Sequence, residues 1–172
     1  MKKLILLFVC SVTFTFISCS DDDPETHTEP NLLLGTWQGQ DLEVTGTLST
    51  EIAGIPLSTD FIGDVYEMTS TLTFSENPNN VTSQGTYSAE VRTTIQGQLF
   101  VENVEDLSFL DSGTWTISGN ELRILTSTET LIATVEELTQ DSLVLSTTSE
   151  EEVDIDGTTY GATVNAVMVF AR

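Results

Sequence analysis

The chain has 172 residues, 27 of them acidic and five basic, for a net charge of −22. A surface this acidic repels nucleic acid phosphates and anionic lipid headgroups, which excludes nucleic acid as a partner. One histidine and two cysteines leave little for imidazole or thiolate chemistry, while 39% hydrophobic residues over a one-domain length suffice for a packed core.

The N-terminus reads as a targeting segment. Lys2 and Lys3 precede an almost wholly apolar run from Leu4 to Ile17, and Ser18 is a small residue before a cleavage point. A positive start, a short apolar stretch and a small residue make a secretory signal, here residues 1–18. The apolar stretch of about 14 residues is shorter than the roughly 20 that span a bilayer. Phe16-Ile17-Ser18-Cys19 resembles the bacterial lipobox, where the signal is cut before an invariant cysteine and the new N-terminus is acylated. That resemblance implies lipidation at Cys19 and attachment to a membrane through the N-terminal lipid. Cleavage removes 18 of 172 residues and leaves 154, with three arginines against all 27 acids, about −24 with His27 neutral. Cys10 leaves with the signal and Cys19 carries the lipid, so no disulfide is expected.

Residues 19–31 read as a disordered acidic tether. Asp21-Asp22-Asp23-Pro24-Glu25 and Glu29-Pro30 carry no apolar periodicity. The Asp-rich run directly after Cys19 is similar to the export signal of certain Gram-negative surface lipoproteins. It implies a place on the outer membrane, lipid-anchored and exposed at the cell surface.

From Leu32 onward Thr and Val are abundant, proline is scarce and apolar residues alternate with polar ones, the pattern of an all-β domain over 32–172. Eight strands are expected at about 35–50, 60–76, 80–97, 112–118, 121–128, 130–138, 142–154 and 158–171. Gly54-Ile55-Pro56, Asn77-Pro78-Asn79-Asn80, Gly119-Asn120, Gln140-Asp141 and Asp156-Gly157 supply the turns. Three period-2 sets are expected to face inward. They are Ile62, Tyr66, Met68, Leu72 and Phe74; Val81, Tyr87, Ala89, Val91 and Ile95; and Tyr160, Ala162, Val164, Ala166, Met168 and Phe170. Trp37 is odd-numbered while Leu42, Val44 and Leu48 are even, so a bulge near Gly39 is expected to let both face inward. Leu99 to Leu110 fits either a short helix or loop over one end of the barrel or an extension of the third strand that pairs with the fourth, and the β-rich Leu99-Phe100-Val101 favours the strand. Successive hairpins favour an up-and-down meander, and closure into an eight-stranded barrel removes exposed edges.

Leu34-Gly35-Thr36-Trp37, then Gly113-Thr114-Trp115-Thr116-Ile117-Ser118-Gly119-Asn120-Glu121-Leu122, then Leu138-Thr139 before Ser142-Leu143-Val144-Leu145, resembles the lipocalin-like domain of bacterial surface lipoproteins. The resemblance covers residues 32–172 and implies an eight-stranded antiparallel barrel. It implies that Gly35 and Trp37 close one end, with Arg172 the one candidate to lie across the Trp37 ring. It also implies a calyx binding a small apolar ligand, with Tyr66, Met68, Tyr87, Trp115, Tyr160, Val164 and Met168 as candidate lining residues. A filled barrel that meets a protein or glycan partner through its loops is the alternative. A monomer is expected.

Little chemistry remains for catalysis. The domain has no histidine, thiol or lysine, which excludes Ser-His-Asp and Cys-His arrangements and His/Cys metal sites. No enzyme activity, cofactor or metal is expected. Glu150-Glu151-Glu152 with Asp154 and Asp156-Gly157 offers oxygen ligands but lacks EF-hand spacing, so a solvated hairpin tip is expected there. Asp141-Ser142-Leu143 is similar to a three-residue bacterial O-glycosylation signal at Ser142.

Overall fold

The computed structural model describes residues 30–155 and 157–172. The signal, Cys19 and the tether up to residue 29 lie outside the described residues. Pro30 and Asn31, expected in the tether, instead open a short helix, α1 (Pro30–Leu33), whose Leu33 is fully buried.

Everything that follows is strand: β1 (Gly35–Ile52), β2 (Ile55–Tyr66), β3 (Thr71–Ser75), β4 (Asn80–Gln84), β5 (Thr86–Ile95), β6 (Gln98–Ser108), β7 (Gly113–Ser118), β8 (Glu121–Leu125), β9 (Thr130–Leu138), β10 (Ser142–Ile155) and β11 (Thr158–Ala171). All pairings are antiparallel. The circuit β1–β3–β4–β7–β8–β9–β10–β11 returns to β1 and closes an eight-stranded barrel. β2, β5 and β6 extend from the upper part of β1 as a flap.

The eight expected strands become eleven because two divide and residues 98–108 add another. β2 and β3 divide what was expected as one strand over 60–76, and Glu67 stands between them at φ +54°. That residue flips the alternation. Phe61 and Gly63 are buried in β2, whereas Leu72 and Phe74 are buried in β3. Ile62 and Tyr66, expected to face inward, are therefore on the outside at 45% and 38% exposure. The third expected strand is cut by Gly85 at φ +78°, where a side chain would run into the Thr69 backbone. It ends at Ile95, not 97, because Gln96-Gly97 forms a tight turn with both φ positive. Residues 98–108 are thus a strand, but one that doubles back along β5 instead of extending it to pair with β7, the fourth expected strand.

The remaining patterns hold. Val81 and Ala89 are buried, with Tyr87, Val91 and Ile95 half-buried, and Tyr160, Ala162, Met168 and Phe170 are buried along β11. β1 shifts register against β11 between Gly39 and Asp41, so Trp37 and Leu42 are both buried. Gly39 has a second use: Met68 packs where its Cβ would be, the sulfur 2.9 Å from that point. The first hairpin turns at Ala53-Gly54, one residue earlier than expected, and Ile55 and Pro56 already belong to β2.

Candidate functional site

The barrel has two unlike halves. At the α1 end the interior is filled. Trp37, Leu72, Phe74, Trp115, Leu122, Ile124, Leu143, Leu145, Met168 and Phe170 form one continuous buried cluster. The Phe74 and Trp115 rings meet edge to face at 6.0 Å. Both indoles are satisfied: Trp37 Nε1 donates to the Leu33 carbonyl at 2.8 Å, and Trp115 Nε1 donates to that of Ser75 at 3.0 Å. The Arg172 guanidinium lies 4.0 Å above the Trp37 ring. Its Nη2 donates to the carbonyls of Leu32 and Leu34 at 2.6 and 2.5 Å, tying α1 to the end of β11. Gly35 sits under the same guanidinium at φ +116°, a conformation that favours glycine.

The other half is open, and strand length explains why. β8 has only five residues, and the β8–β9 hairpin turns at Thr126–Glu129, where Thr126 Oγ1 accepts from the amides of Thr128 and Glu129. β10 pairs with β9 only through residues 143–146, although β10 continues to Ile155. β6 pairs only with β5. Above the short hairpin, the flap and the β10–β11 ribbon therefore stand apart with no strand between them.

A cavity of about 590 Å³ occupies that space. Leu48, Phe61, Val91, Phe100, Val153, Ile155, Ala162 and Val164 supply its apolar wall, with Thr93, Val101, Glu102 and Asp154 completing the lining. Gly46 makes room for one wall: a Cβ there would lie 2.5 Å from two Phe61 ring atoms. Thr93 Oγ1 donates to the Asp60 carbonyl at 2.9 Å, so its hydroxyl is used by the sheet.

The candidate lining residues scatter across this arrangement. Val164 lines the cavity. Tyr160 is buried close by and borders a smaller 140 Å³ hollow with Leu48 and Ile95. Tyr87 and Met68 are half-buried against the closed-end core, and Trp115 and Met168 are inside it. Tyr66 is on the outer face, for the parity reason given above. Phe61 and Phe100 were missed. Phe61 lies on the parity opposite to the chosen set, although Phe61-Gly63-Val65 alternates too; Phe100 follows an unrecognised turn.

The ionisable groups follow from these positions. Burial and then the nearby Glu151 carboxylate raise the Tyr87 phenol above its usual 10.0. Partial desolvation, then Glu105, Glu67 and Glu90, raise Tyr66. A phenol with a raised folded-state pKa contributes stability in full below pH 10.0, where both states are protonated. Above that the unfolded chain releases the proton first, so stability falls as pH rises through the raised value. Phenolate absorbance should show Tyr66 and Tyr87 titrating late, and Tyr87→Phe should remove the Tyr87 part of that late step. Among the described residues no group of three His, Cys, Asp or Glu side chains is arranged to hold a metal ion. Ser142, at the start of β10, is half-buried, its amide donating to Thr139 Oγ1 at 2.9 Å.

No curated protein and no solved structure is significantly similar to the chain. A family model does match: that of the lipocalin-like domain, over residues 33–145. The match spans the Gly35-x-Trp37 opening and runs through the closed barrel as far as β10. With the Trp37–Arg172 closure and a cavity at the opposite end, the chain belongs to the lipocalin-like domain family.

Proposed function

We propose that this protein binds a small, predominantly apolar molecule in the open half of its barrel. The observation that carries the reading is the 590 Å³ cavity, lined mostly by aliphatic and aromatic side chains from β1, β2, β5, β6, β10 and β11. Small-molecule sites occupy roughly 300–1,000 Å³ and are mostly apolar. A filled barrel recognising partners through its loops has less support, because only the α1 end is filled. The test is titration with the neutral fluorophore N-phenylnaphthylamine. Micromolar binding with enhanced emission is expected, and no enhancement in a folded sample removes the reading.

The same reading makes the protein a lipid-anchored component of the outer membrane, held through Cys19 and displayed at the cell surface. The support is the lipobox-like Phe16-Ile17-Ser18-Cys19 and the Asp-rich run after it. Cys19→Ala should yield protein of unprocessed mass or release it from membranes. Correctly cleaved Cys19→Ala that stays membrane-bound defeats this part. The role is binding without catalysis, as a monomer: from Pro30 onward the chain has no histidine, cysteine or lysine to act as base or nucleophile.

A further inference from the structure

The cavity is apolar in its walls but carries charge of one sign only. Glu102 is the cross-strand partner of Val91, so its side chain shares the inner face of the flap. Asp154 lies at the rim, between the wall residues Val153 and Ile155. Glu151 is the cross-strand partner of Ala162, another wall residue, and so shares the inner face of β10. All three carboxylates are exposed. Among the described residues no basic side chain lines the cavity. The arginines are engaged elsewhere: Arg172 at the closed end, Arg92 with Asp64 and Glu90, and Arg123 with Glu121. The polar groups bonded to these acids are hydroxyls, Ser149 to Glu151 at 3.2 Å and Thr159 to Asp154 at 3.3 Å, which leave the negative charge uncompensated.

We infer that the ligand of this cavity is a lipophilic cation, an amine or quaternary ammonium carrying an apolar chain or ring. The apolar part occupies the space between Phe61, Phe100 and Val164, and the cationic head stays at the side opening among Glu102, Glu151 and Asp154. This inference rests on the proposed binding of an apolar ligand and adds the charge of its head. An anionic amphiphile, such as a fatty acid, meets repulsion at the opening between the flap and the β10–β11 ribbon. A neutral one gains the apolar burial alone.

The experiment compares three ligands with ten-carbon chains, below their aggregation limits: decyltrimethylammonium, decanol and decanoate, each by calorimetry or by displacement of N-phenylnaphthylamine. The cation should bind at least about tenfold tighter than decanol, decanoate should be weakest, and the preference should shrink with added salt. The whole molecule is acidic, so local and global charge must be separated. The triple variant Glu102→Gln, Glu151→Gln, Asp154→Asn should bring the cation-to-decanol ratio toward one. The charge-matched outer-face control Glu43→Gln, Asp60→Asn, Glu137→Gln, all exposed strand residues outside the cavity lining, should keep it. Equal loss in both triple variants overturns the site and leaves only bulk attraction. Equal affinity for cation and decanol, or tighter binding of decanoate, overturns the inference while ligand binding stands. No binding of any of the three removes both.

Discussion

Replacing Trp37 by alanine should lower stability by about 3–5 kcal/mol, the range for truncating a fully buried large aromatic. Trp37 has no exposed surface and touches three things that hold the closed end. Its ring packs in the main cluster, its Nε1 fixes the last carbonyl of α1, and its face carries the Arg172 guanidinium. Arg172→Ala should cost about 2 kcal/mol, through a cation–π contact and charged hydrogen bonds to Leu32 and Leu34. The two losses should not add, because removing either residue frees the helix that both retain. Urea denaturation of the single and double variants measures this directly. Additive losses would show that Arg172 holds α1 without help from Trp37. Arg172→Lys should recover little, since an ammonium cannot stack on the ring while reaching two carbonyls.

Replacing Val164 by tryptophan should abolish most probe binding, at least about a tenfold loss in affinity, with little change in stability. Val164 is half-buried and borders the cavity, so added side-chain volume has space to enter. The same enlargement at Met168 has the opposite profile. Met168 is 2% exposed within the filled half, and Met168→Trp should cost about 1–3 kcal/mol by overpacking. Tyr66→Ala should leave probe affinity unchanged, because that ring is outside the barrel. Calorimetric melting beside fluorescence titration separates the three cases. Unaltered binding by Val164→Trp would mean that the probe sits elsewhere, and weakened binding by Tyr66→Ala would place it on the outer face.

Much of the barrel was legible because a half-buried strand writes its two faces into alternate residues. β11 shows this in full, with Tyr160, Ala162, Met168 and Phe170 buried as their spacing implies. The bulge at Gly39 was legible too, since Trp37 and Leu42 differ in parity and glycine offers the easiest place to slip. Other parity changes left no such mark. Glu67 and Asp106 adopt positive φ without being glycine, at +54° and +56°, and nothing in their chemistry announces it. The first of these carried Tyr66 out of the barrel and Phe61 into it.

The sequence by itself determined the strand-rich chain, its successive hairpins and the excess of acid over base. Those are local properties, set by side-chain alternation, turn residues and charge count. Tertiary structure alone decided where the interior is filled and where it is empty. That outcome depends on strands of unequal length meeting around a closed circuit. β8 and β9 stop low beside β6 and β10, and no single strand records how far its neighbours extend. The same mismatch brings Glu102 of β6 and Asp154 of β10, far apart in the chain, to the lining of one cavity.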